Sequence, residues 1–127
     1  MNYVILLILL ALAQFIWFTG RTGFLRVKYK VDAPKCSGEE IWERLFRVQQ
    51  NTMEQLVIYI PGMLAFAHLV SATWALLPGI VFLLGRQLYS HQYVTDPKSR
   101  GPGMVMTFFS NIALVLGSLI GLAVSMM

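Results

Sequence analysis

Three long stretches of this 127-residue chain carry no Asp, Glu, Lys or Arg: residues 1–20, 55–85 and 103–127. A soluble domain of this size has no interior large enough to hide them. About 20 helical residues cross a hydrocarbon core of about 30 Å, so lipid is the expected solvent. Composition agrees: 57% of residues are hydrophobic and 13% charged, against about 25% charged in soluble domains. The middle stretch is too long for one crossing. It is interrupted at Val70-Ser71-Ala72-Thr73-Trp74, which reads as the turn of a helical hairpin whose arms extend into polar ends. The expected spans are therefore 3–20, 41–70, 74–93 and 103–126, within a single domain of residues 1–127.

The basic residues test that count. They are Arg21, Arg26, Lys28, Lys30, Lys35, Arg44, Arg47, Arg86, Lys98 and Arg100. Four spans put all of them on one face, whereas three spans would divide them between the two sides, against the positive-inside rule. The expected fold is an all-α, four-helix transmembrane bundle with antiparallel neighbours. Both termini are expected on the non-cytoplasmic side, with loops 21–40 and 95–103 inside. The formal charge of +4 then marks topology and headgroup contact, and no nucleic-acid partner is expected. The first residues contain no Lys or Arg, so the N-terminal run reads as a retained span rather than a cleaved signal. Ser37, ahead of Glu39 and Glu40, reads as the start of the second helix. Cys36 is the only cysteine, and His68 and His91 are too far apart to share an ion, so no metal is expected.

Two groups of polar residues stand where lipid penalises them. Arg47, Asn51 and Glu54 recur at i, i+4 and i+7, one face of a helix. Glu43, Arg44 and Gln50 widen that stripe, and Gln49 points nearly opposite. Arg86, Tyr89 and Tyr93 form a second stripe at i, i+3 and i+7. Arg and Tyr taken singly are ordinary residues of the membrane interface. An Asn and a Glu one to two turns deep, aligned with an Arg, require internal partners. Both stripes lie at the charged ends of their helices, so they can face each other, or a neighbouring subunit, around one polar pocket.

The run Glu43-Arg44-Leu45-Phe46-Arg47-Val48-Gln49-Gln50-Asn51-Thr52-Met53-Glu54 resembles the second-span signature of the MAPEG family, the membrane-associated proteins in eicosanoid and glutathione metabolism. Arg86-x-x-Tyr89-x-x-x-Tyr93 is similar to the family's third-helix motif. Arg100, seven residues on, matches the spacing of the arginine that leukotriene-forming members use on the glutathione sulfur. The resemblance implies a homotrimer that binds glutathione as co-substrate between subunits and takes a lipophilic substrate from membrane lipid. It further implies glutathione contacts from Arg47, Asn51, Glu54, Tyr89 and Tyr93, with Gln49 and a helix I arginine, Arg26 or Arg21, as further candidates. Arg100 is the catalytic candidate, holding the thiolate. The chain departs from the pattern at Gln55, where some members carry Tyr, and at Pro61, which follows Glu54 by seven residues. The expected function is a glutathione transferase or peroxidase in the membrane, expected to be a bacterial inner membrane. The alternatives are a non-enzymatic lipid-binding member of the same family and a small multidrug-type exporter. The exporters resemble each other in an intramembrane glutamate of the first span, where this chain offers only Gln14.

Overall fold

The computed structural model describes residues 1–127. Four helices follow in order: α1 (Asn2–Lys28), α2 (Glu40–Leu69), α3 (Leu76–Thr95) and α4 (Gly101–Ser125). The turn at 70–75 joins α2 to α3, and a short 3-10 turn, Pro97–Ser99, leads into α4. α1 and α4 are long and apolar enough to cross a membrane, with mean hydropathy 2.2 and 2.0. α2 and α3 carry the polar stripes, which dilute their apolar character.

Two helix bounds differ from expectation. α1 continues past Gly20 to Lys28, because a helix bonds its own backbone and needs no lipid to persist. Its last turns are also tied down: the Trp42 Nε1 donates to Thr22 O at 3.0 Å, and Thr22 Oγ1 donates to Phe18 O at 2.9 Å. The start of α2 is capped by Glu39 rather than Ser37. The Glu39 carboxylate accepts from the Ile41 and Trp42 amides at 2.8 and 3.3 Å, satisfying donors that every helix start leaves free. Glu43 reaches back to accept from Gly38 N at 2.9 Å.

The core of the apolar half is built from Val4, Leu7, Ile8 and Ala11 of α1, with Leu56, Tyr59 and Met63 of α2, Phe82 of α3 and Leu114 of α4. Tyr59 stacks on Phe82 with ring centroids 3.9 Å apart, and its hydroxyl donates to Gly79 O at 3.2 Å. A smaller cluster of Phe18, Val48 and Tyr89 closes the polar half. α3 and α4 approach most closely there. A Cβ on Gly103 would lie 2.5 Å from the Tyr89 nitrogen, and one on Gly85 would lie 2.8 Å from Met106 Cβ. Small residues at membrane helix crossings permit this approach, and here it fixes the register of Arg86 and Tyr89 against α4.

Candidate functional site

α2 runs antiparallel to α3, so the N-terminal turns of α2 meet the C-terminal turns of α3. Arg44 ties the two ends: its Nη1 donates to Val94 O at 3.0 Å, and its Nη2 pairs with Glu40 at 2.6 Å. Immediately beyond, a cavity of about 380 Å³ is lined by Arg47, Gln50, Asn51, Glu54, Tyr89, Tyr93 and Arg100. Both helical stripes therefore open onto one space, and Arg100 reaches it from the loop before α4. The Arg100 guanidinium is held at the rim, donating to Pro97 O at 2.8 Å. Tyr89 and Tyr93 stack on each other at 5.5 Å, which sets the pitch of that wall.

Neither Arg47 nor Glu54 is paired within the chain, since Arg44–Glu40 is the one ion pair formed. The cavity thus presents two free guanidiniums, one free carboxylate, two amides and two phenols. Such a set suits a polar ligand that carries both carboxylates and an ammonium, because a guanidinium grips a carboxylate through paired bonds.

Asn51 is oriented by a residue behind it. Arg86 is 1% exposed and donates from Nη1 to Asn51 Oδ1 at 2.7 Å and Thr52 Oγ1 at 3.2 Å, and from Nε to Thr107 Oγ1 at 3.0 Å. Guanidinium only donates, so Asn51 must turn its oxygen to Arg86 and its Nδ2 away. The Thr52 and Thr107 hydroxyls accept from Arg86 while donating to Val48 O and Gly103 O at 2.7 and 3.0 Å. Arg86 also lies over the Tyr89 ring, 4.4 Å from its centroid.

Of the remaining expected residues, Gln49 lies outside the cavity of the single chain, on the face its spacing indicates, and Gln50 stands in the lining instead. Arg26 lies over the Trp42 ring at 4.6 Å and donates to Lys35 O at 2.8 Å, clasping the α1–α2 connection. Arg21 donates to Ser90 Oγ at 2.8 Å. Neither helix I arginine lines the cavity. Sequence reasoning placed Arg86 in the Tyr89–Tyr93 stripe. Its inward turn onto Thr107 depends on the register of α4, which carries no local signal.

The polar cavity does not end at Asn51. A second space of about 210 Å³ is lined by Asn51, Gln55, Arg86, Met104, Thr107 and Phe108. Through Gln55 and Phe108 it meets an apolar groove of about 440 Å³ between α2 and α4. That groove shares Ile58 and Val115 with another of about 460 Å³. A polar chamber therefore grades into an apolar trough along the lipid-facing side of the bundle.

A profile of the MAPEG family matches residues 4–120. The chain belongs to the MAPEG family. This places it among membrane-associated proteins, in keeping with the two long apolar helices. Among MAPEG relatives, it is 40% identical over 100 residues to an uncharacterized protein of Synechocystis sp., covering 79% of this chain and 73% of the relative. It is 31% identical over 115 residues to microsomal glutathione S-transferase 2 of Homo sapiens, covering 91% and 78%. A probable microsomal glutathione S-transferase of Dictyostelium discoideum is 28% identical over 111 residues, covering 84% and 74%. At the level of the family, these relatives support a glutathione-related transferase function.

Proposed function

We propose that this protein is a membrane-embedded glutathione transferase that activates the glutathione thiol for attack on a lipophilic electrophile. The observation that carries this reading is the 380 Å³ cavity lined by Arg47, Glu54 and Arg100, none of them in an ion pair. Glutathione carries two carboxylates and one ammonium, so Arg47 with the Asn51 amide takes a carboxylate and Glu54 takes the ammonium. Tyr89 and Tyr93 supply hydroxyls to the remaining polar atoms. Arg100 sits over the thiol. A free thiol has a pKa of about 8.5 and an adjacent cation lowers it, so the nucleophilic thiolate is populated at neutral pH. The electrophile enters from lipid along the α2–α4 trough.

Four spans, with both charged loops in the cytoplasm, belong to the same proposal, as does placement in a bacterial inner membrane. So does a homotrimer, because only a neighbouring copy can bring Gln49 or Arg26 to this cavity. Calorimetric titration of the detergent-solubilised protein with glutathione, alongside Glu54→Gln, is the direct test. The reading expects saturable binding that the substitution weakens strongly, together with glutathione-dependent turnover of an aryl halide or a lipid hydroperoxide. Absence of both binding and turnover would eliminate it.

A further inference from the structure

The first helix carries an arginine that neither polar cavity uses. Arg21 lies five residues before Arg26, about 140° around the helix, so it turns to α3 while Arg26 turns to Trp42 of α2. Its guanidinium lies over the Phe18 ring, 5.0 Å from the centroid, and its Nη2 donates to Ser90 Oγ at 2.8 Å. Nε is buried without a partner, and Nη1 makes no bond within the protein. No carboxylate neutralises this cation: Arg44–Glu40 is the one ion pair, and neither α1 nor α3 contains an Asp or Glu. Residues 1–20 carry no charged side chain and make about 30 Å of helix, so Arg21 stands where hydrocarbon gives way to headgroups. Beside it runs a groove of about 470 Å³ along α1, lined by Ile16, Trp17, Gly20, Phe24 and Leu25. Trp17 and Phe24 are 62% and 82% exposed, and a Trp one turn below a cation is a marker of the membrane interface.

A second donor stands on the same flank. Gln14 Nε2 donates to Leu83 O and to Gln87 Oε1, both at 3.1 Å. A backbone carbonyl only accepts, so Gln14 must present its nitrogen. Gln87 must answer with its oxygen, and its Nε2 is left free. Gln87 lies three residues, about 4.5 Å, deeper in the membrane than Ser90.

We propose that Arg21 and Gln87 hold the head of an anionic glycerophospholipid, with one acyl chain in the groove along α1 and Ser90 as the residue that positions the guanidinium. The phosphodiester accepts from Arg21 Nη1. An ester carbonyl, which such lipids carry just below the phosphate, accepts from Gln87 Nε2. An ammonium headgroup would find no carboxylate on either helix, so the site selects a net negative lipid over a zwitterionic one. Free phosphate would leave the groove empty and Gln87 unpaired. Ser90 directly follows Tyr89, so a lipid seated here braces α3 next to a residue that lines the polar cavity. The site needs no glutathione and stands independently of the transferase reading.

The test is native mass spectrometry of the full chain in neutral detergent, which counts bound lipids and copies per particle. The probes are phosphatidylglycerol and phosphatidylcholine with the same palmitoyl and oleoyl chains. Wild type should bind phosphatidylglycerol about fivefold or more tighter, the scale of one cation facing an anionic headgroup. Arg21→Gln should weaken phosphatidylglycerol on the order of tenfold and erase the preference. Arg21→Lys should keep the preference at lower affinity, because the charge remains without the planar fork. Lys35→Gln removes the same charge from the exposed α1–α2 connection and should change binding by less than about twofold. Gln87→Leu should weaken both lipids by the same factor, since both carry the ester carbonyl. Equal binding of the two lipids by wild type, or equal losses from Arg21→Gln and Lys35→Gln, would overturn the site and leave Arg21 as a topology signal. So would unchanged binding in Gln87→Leu, or a copy number that falls with Arg21→Gln, the sign that a second copy covers this face.

Discussion

Substituting Gly103 by alanine should damage the proposed glutathione site from the outside of its wall. The added Cβ would lie 2.5 Å from the Tyr89 nitrogen and 2.6 Å from its Cα, whereas ordinary contact begins at 3.4 Å. Both obstructing atoms are backbone, so no rotamer change relieves them, and α4 must move from α3 by about 1 Å. Overpacking of this kind costs about 1–3 kcal/mol. Tyr89 sits on the displaced segment and lines the cavity, and a shift of about 1 Å in a positioned group can cost about 100-fold in turnover. Gly101→Ala is the control, because nothing lies within 4 Å of a Cβ there, and at an exposed first turn alanine is neutral or mildly favourable. Thermal unfolding in detergent and calorimetric glutathione titration of both variants decide the matter. If Gly103→Ala matches wild type in stability and affinity, or Gly101→Ala is equally harmful, the close α3–α4 approach does not set the position of Tyr89.

Arg86→Leu should destabilise by about 1–3 kcal/mol, measured by thermal unfolding, because it strands the Asn51, Thr52 and Thr107 oxygens. Glu54→Gln should weaken glutathione binding by about 2–5 kcal/mol. Titration with a glutathione analogue lacking the γ-glutamyl amine should show no such difference between variant and wild type. Arg100→Ala should raise the pH at which bound glutathione ionises while changing affinity modestly, and thiolate ultraviolet absorbance against pH measures it. An unchanged titration with unchanged turnover would leave Arg100 as a topology signal. Cysteines placed at Asn2, Ser99 and Met127 should label from opposite sides of the membrane, with position 99 alone on the cytoplasmic face; common labelling of 99 and 127 would refute four spans.

The helix II part of the cavity was legible because a helix repeats every 3.6 residues. Arg47, Asn51 and Glu54 could share a face in no other secondary structure, and Gln49 had to leave it. Pairing that face with Tyr89 and Tyr93 followed from the antiparallel hairpin, which brings the polar ends of α2 and α3 together. The second cavity was not legible. Gln55 and Asn111 are separated by 56 residues, and their contact depends on how far α4 slides along α2. Gly85 and Gly103 set how α4 seats against α3, through close approaches that are mostly to backbone atoms, and a glycine in a sequence does not name its neighbour. Likewise α1 outlasts its apolar stretch because Trp42 caps its flank, a contact between residues 20 apart.

The absence of ion pairs around the cavities has a physical cost that packing alone does not offset. Arg47, Arg86 and Arg100 set three guanidiniums around these connected spaces against the single carboxylate of Glu54. A chain selected for stability alone would have neutralised the buried Arg86, since a cation withdrawn from water without a counter-charge is expensive. Here its acceptors are all neutral: one amide oxygen and two hydroxyls. They fix its geometry without cancelling its charge. Glutathione as the thiolate carries a net charge of −2, matching the two-charge excess of the surrounding residues. On the proposed function, the electrostatic balance of this end of the bundle is completed by the substrate, and its three guanidiniums without a counter-charge are arranged for a ligand rather than for the fold.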